Sequence, residues 1–89
     1  MRLPDEVNDD LTRRLRRIEG QVRGIQQMLA DGRECRDVVA QVSAASKALD
    51  QVGFKMLASG LSSCLADPAA AEASGVSLDE LERLFLKLA

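Results

Sequence analysis

Leu11, Leu15, Ile18, Val22, Ile25 and Leu29 follow one another in steps of four, three, four, three and four residues. That spacing keeps apolar side chains on one face of an α-helix through nearly three heptads, and it is foreign to a strand, whose faces alternate every second residue. The same steps recur in Val38, Val42, Ala45, Leu49, Val52 and Met56. Two long helices with narrow apolar seams cannot close a core by themselves. Two such hairpins packed antiparallel can, as a four-helix bundle, so at least a dimer is expected.

Local chemistry sets the boundaries. Pro4 and the run Asn8-Asp9-Asp10 suit the start of a first helix over about 5–31, with acids near the positive end of the helix dipole. Asp31-Gly32 marks its stop. A second helix is expected over about 34–65, drifting after Met56 to Leu57, Leu61, Cys64 and Leu65, and ended by Asp67-Pro68. Gly53 and Gly60 each cost it up to about 1 kcal/mol relative to alanine. Residues 69–75 read as a small-residue linker. Ser77 followed by Glu80 is a capping-box pattern opening a third helix over about 77–88, with Val76, Leu78, Leu81, Leu84, Phe85 and Leu88 on its apolar side. The expectation is an all-α chain of three helices in one domain, 1–89.

With 89 residues the chain has room for one modest core. No stretch is apolar enough to span a membrane, and the polar, acidic residues 1–10 lack the order of a secretory signal, which makes the cytoplasm the default compartment. Two cysteines in a reducing compartment are rarely a structural disulfide. The chain has no histidine, and with it go the commonest general base and the commonest metal ligand. There is also no CxxC and no glycine-rich phosphate loop. No catalytic constellation remains, so the chain is not expected to be an enzyme.

Cys35 and Cys64 are separated by 29 residues, from 35 to 64. On one continuous helix this is about 43 Å, whereas a disulfide needs Cα atoms within about 7 Å. They cannot pair within a chain, but in an antiparallel dimer Cys35 of one subunit can approach Cys64 of the other. Cys35 falls at a helix start between Arg33 and Arg36, where dipole and cations favour the thiolate. Cys64 has no such help. The spacing also admits two small core residues with no reactive role.

The net charge is −2, but its distribution is uneven. Seven arginines lie between Leu11 and Arg36, against Glu19, Asp31 and Glu34. Arg13, Arg16, Arg17 and Arg23 share the helix face opposite the seam, with Arg14 at its flank. Such a face suits phosphate contact, or else a solvated surface held by short ion pairs to Glu19. Without Trp or Tyr, base stacking on single strands is not expected.

Residues 11–29 (LTRRLRRIEGQVRGIQQML), 35–44 (CRDVVAQVSA), 48–49 (AL) and 60–65 (GLSSCL) closely resemble the CsoR/RcnR family of bacterial repressors, the copper-sensing operon repressor group. The resemblance implies an antiparallel dimer, a tetramer formed from two dimers, and a homotetrameric repressor that binds double-stranded operator DNA and releases it on meeting an effector. It implies DNA contact by Arg14, with Arg13, Arg17 and Lys47 on the neighbouring surface, and a coupling role for Glu80. Cys35 and Cys64 match the two copper-ligand cysteines of the family. The family's histidine, four residues before the second cysteine, is Gly60 here. This departure resembles the CstR-like branch, and it implies a thiol switch for reactive sulfur species. In that reading Cys35 and Cys64 meet persulfide or polysulfide, sulfane-sulfur donors are the small-molecule partners, and no cofactor is required. The alternative is a Cu(I)-responsive repressor using the two thiolates, which are soft ligands suited to Cu(I). A helical adaptor that binds another protein is the reading from a different class.

Overall fold

The computed structural model describes residues 2–89, so Met1, the first position of the expected single domain, lies outside the described residues. Four helices follow in order: α1 (Asp5–Ala30), α2 (Cys35–Ala66), α3 (Pro68–Ala73) and α4 (Leu78–Leu88). There is no strand among the described residues, and the all-helical expectation holds.

The α1–α2 turn is built as the Asp31-Gly32 pair requires. Gly32 takes φ +68°, a region that costs a residue with a Cβ. Arg33 N–H then donates to Met28 O at 3.0 Å and Gly32 N–H to Leu29 O at 3.2 Å, the paired bonds of a Schellman cap. Four residues thus turn the chain back, and Asp10–Val52 forms one compact unit. Its buried side chains are Leu11, Ile18, Val38, Ala45 and Val52. The α2 stripe therefore has two edges. Val38, Ala45 and Val52, seven residues apart, are buried, while Val42, Leu49 and Met56, also seven apart, are exposed. Exposure of 8 % at Val38 against 52 % at Leu49 separates the edge the chain covers itself from the edge it leaves open.

The second compact unit contains the residues before Asp10 together with Gly53–Ala89. Here the structure corrects the three-helix expectation. The segment read as a linker, 69–75, is mostly helix α3. Asp67 ends α2 and begins α3 at once: its Oδ1 accepts from Ala70 N–H at 3.1 Å, and Pro68 occupies the first turn, where its missing N–H costs nothing. Gly75, at φ +87°, closes α3 with a second Schellman cap, Val76 N–H donating to Ala71 O at 2.9 Å. Val76 and Ala71, brought together by this cap, are both buried in one cluster with Cys64 and Leu81. Ser77 caps α4 as the sequence requires, its Oγ accepting from Glu80 N–H at 3.2 Å.

Gly75→Ala is expected to destabilise the chain by about 1–2 kcal/mol, because alanine is strained in the left-handed region. Gly24→Ala, in mid-helix with nothing within 4 Å of the added Cβ, is expected to stabilise by up to about 1 kcal/mol. Urea unfolding of the two variants checks the opposite signs.

Candidate sensor thiols and nucleic-acid interface

Both cysteines are on α2, and both are free thiols. Cys35 is the first residue of the helix and is exposed. The α2 start is closed by backbone bonds from Asp37 and Val38 N–H to Glu34 O at 3.0 and 3.1 Å. Arg33, one of the two cations flanking Cys35, turns its guanidinium to Asp37 at 3.9 Å. Cys64, near the other end of α2, is only 7 % exposed and packs with Ala71, Val76 and Leu81, with Leu57 beside them. Its outlet is a cleft of about 330 Å³ whose walls include Pro68, Glu72, Ser77 and Leu78. Gly60, one turn before Cys64, is itself buried. The asymmetry of the thiols, one open and one enclosed, is not readable from the cysteine spacing. It follows from Ala71 of α3, in the segment expected to be a linker, together with Val76 and Leu81.

No group of three or more His, Cys, Asp or Glu side chains that could hold a metal exists among the described residues of one chain. The two cysteines belong to different compact units of the chain.

The arginine face of α1 is exposed at Arg13, Arg16, Arg17 and Arg23, and Arg14 is half-buried. Acids on the same helix already engage part of it. Asp10 receives Arg14 Nε at 3.0 Å and lies 3.8 Å from Arg13, and Glu19 lies 4.0 Å from Arg23. Arg16 and Arg17 make no ion pair among the described residues, nor does Lys47, which is exposed on α2. Intrahelical pairing thus takes up part of this face and leaves Arg16 and Arg17 outside it. Asp10 is the residue that the sequence reading missed, although its spacing of three and four to Arg13 and Arg14 was visible. Gly20 and Gly24, on the same face, meet no backbone within the chain. Glu80 is exposed in the first turn of α4, directly before the buried Leu81.

Comparison with known proteins places this geometry in a family. Residues 7–87 match the model of the metal-sensitive transcriptional repressors, and the chain belongs to that family, the CsoR/RcnR repressors. It is 39 % identical over 79 residues to the copper-sensing transcriptional repressor CsoR of Bacillus subtilis (strain 168), covering 89 % of this chain and 78 % of that protein. It is 43 % identical over 60 residues to the copper-sensing repressor RicR of Mycobacterium tuberculosis (H37Rv), covering 67 % of this chain and 62 % of RicR. Among solved structures, the Cu(I)-bound copper-sensing repressor CsoR of Geobacillus thermodenitrificans NG80-2 superposes with a TM-score of 0.79 at 41 % identity, covering 98 % of this chain and 91 % of that one. The nickel-responsive regulator InrS superposes with a TM-score of 0.77 at 33 % identity, over 91 % of both chains.

The family is one of repressors and not of enzymes. The expectation that no cofactor is required is overturned: CsoR and RicR are copper-sensing, and one similar CsoR is solved with Cu(I). That expectation gave the missing histidine too much weight. Thiolates are soft donors suited to Cu(I), so a missing nitrogen ligand does not by itself exclude that ion. No helix among the described residues is long and apolar enough to cross a membrane.

Asp10→Asn is expected to cost no more than about 1 kcal/mol in urea unfolding, since exposed and half-exposed ion pairs contribute little. It releases two guanidinium groups from a carboxylate, and fluorescence anisotropy with a duplex is expected to report tighter binding.

Proposed function

We propose that this family member is a cytoplasmic, Cu(I)-responsive repressor whose two thiolates, Cys35 of one subunit and Cys64 of its partner, form the sensing site. The observation that carries this reading is the pair of free cysteines on one helix, in a chain similar to the copper-sensing CsoR and RicR. The donor set fits: two thiolates suit Cu(I), whereas nickel, to which InrS responds, favours the nitrogen and oxygen ligands that a chain without histidine cannot supply in full. Cu(I) would be held by the Cys35 and Cys64 thiolates and would supply a soft Lewis acid there.

The subunit partner is a second copy of the chain. The open edge of α2 at Val42, Leu49 and Met56, together with Val22 and Leu29 of α1, is a long apolar stripe that water would otherwise cover. An antiparallel dimer buries it, and two dimers form the tetramer implied by the family. The whole chain, 1–89, acts as one sensor and DNA-binding domain. Arg13, Arg14, Arg17 and Lys47 contact the phosphates of operator DNA, and Glu80, beside Leu81 of the Cys64 cluster, couples the site to that surface.

A second reading has its own observation. Histidine is absent, and Gly60 stands one turn before Cys64. In that reading the Cys35 thiolate takes the outer sulfur of a persulfide and releases the donor thiolate. Cys64 of the partner subunit then attacks the inner sulfur, forming an interchain disulfide and expelling hydrosulfide.

Anaerobic titration of the reduced protein on its own upstream duplex separates the two. Cu(I) is expected to release the duplex at about one ion per chain, as two-fold symmetry gives two equivalent sites per dimer. Cys35→Ser and Cys64→Ser should each bind the duplex and fail to release it. Release by a sulfane-sulfur donor with a covalent dimer in the intact mass, and none with Cu(I), would replace the first reading with the second. Arg14→Ala and Arg17→Ala are each expected to weaken binding across sequences and to reduce the salt slope by about 1.

A further inference from the structure

α4 lies along the second half of α2 with three side chains of one face, Leu81, Phe85 and Leu88, spaced by four and three. Each meets a different station. Leu81 is in the cluster around Cys64. Phe85 packs on Phe54 with ring centroids 5.6 Å apart and planes tilted by 53°. Leu88 sits over Gly53, where a Cβ would be 2.6 and 2.8 Å from its two methyl carbons and 3.3 Å from its branch carbon. A single methyl on Gly53 would therefore press on both methyl carbons and the branch carbon of Leu88, and Leu88 would have to shift.

We infer that Gly53 and Leu88 form a latch that seats α4 on α2, and that this latch sets how enclosed the thiol of Cys64 is, more than two helical turns away. A helix of 11 residues is a stiff rod about 16 Å long. Its last turn is where helices fray, and Leu88 is its final residue. The glycine notch lets the rod lie close at that end. The ring pair acts as the fulcrum in the middle. Lifting the Leu88 end shifts Leu81 against Cys64, Ala71 and Val76, and widens the 330 Å³ cleft that is the outlet of Cys64. Gly53 is in this sense a positioning residue: it touches no effector and acts through α4. Gly24 differs, since nothing lies within 4 Å of its added Cβ.

The inference rests on reading Cys64 as a sensor thiol, but its test needs neither metal nor DNA. In the full chain carrying Cys35→Ser, Cys64 is alkylated with iodoacetamide in native buffer and followed by intact mass. Gly53→Val and Leu88→Ala are each expected to raise the alkylation rate about tenfold or more, because the reactive state is reached by a local opening that both make easier. Gly24→Val should leave the rate at the parent value. Far-UV circular dichroism that retains the parent helix content distinguishes a lifted α4 from an unfolded chain, and Leu88→Ala carries the test alone if Gly53→Val does not fold. Parent rates in the folded latch variants overturn the latch. Equal acceleration in Gly24→Val overturns it too, since that signals general loosening. Failure of Cu(I) to release DNA from the unsubstituted protein would remove the proposed effector and leave the alkylation rates as they are.

Discussion

Everything else in this chain depends on a stripe of apolar side chains on α2 that is wider than one neighbour can cover. Val38, Ala45 and Val52 are enclosed within the Asp10–Val52 unit, whereas Val42, Leu49 and Met56 on the adjoining edge are exposed. An isolated hairpin of this kind keeps a line of leucine and valine in water, and the hydrophobic effect disfavours that arrangement in proportion to the area left open. The same helix carries both cysteines. The open apolar edge and both free thiols thus share one element.

Much of the architecture is legible in the sequence because its signals are local. The four-three steps define α1 and α2, Asp31-Gly32 defines the turn between them, and Ser77 with Glu80 defines the start of α4. Each rests on a backbone requirement that few residues meet. α3 escaped for an instructive reason. Asp67-Pro68 is both a helix stop and a helix start, since an Asp cap followed by proline in the first turn is as favourable for the next helix as it is fatal to the last. Six residues of alanine, glutamate and proline show no amphipathic period from which a helix could be read.

The candidate site was legible in its members and not in its environment. The cysteines and arginines are plain in the sequence, yet the burial of Cys64 comes from Ala71 and Val76, residues without chemistry of their own, brought over it by the turn at Gly75. The pairing of Asp10 with Arg13 and Arg14 follows from helical spacing but competes with any phosphate for the same guanidinium groups. The identity of an effector depends on a whole donor set, and a histidine count weighs only one type of ligand among several. The similar CsoR and RicR repressors are copper-sensing although this chain has no histidine.

Gly53 and Gly60 both lie in the half of α2 that ends at the buried thiol. Two glycines within seven residues lower the intrinsic tendency of that half to be helical by up to about 2 kcal/mol. Its regularity is on loan from the short helices folded against it. The first half of α2, free of glycine, keeps its shape by its own composition and by the α1 hairpin. One continuous helix is thus a stiff beam at the Cys35 end and a supported, yielding one at the Cys64 end. Amide protons beyond Gly53 should be the ones that report, ahead of the rest of the helix, when the short helices loosen their hold.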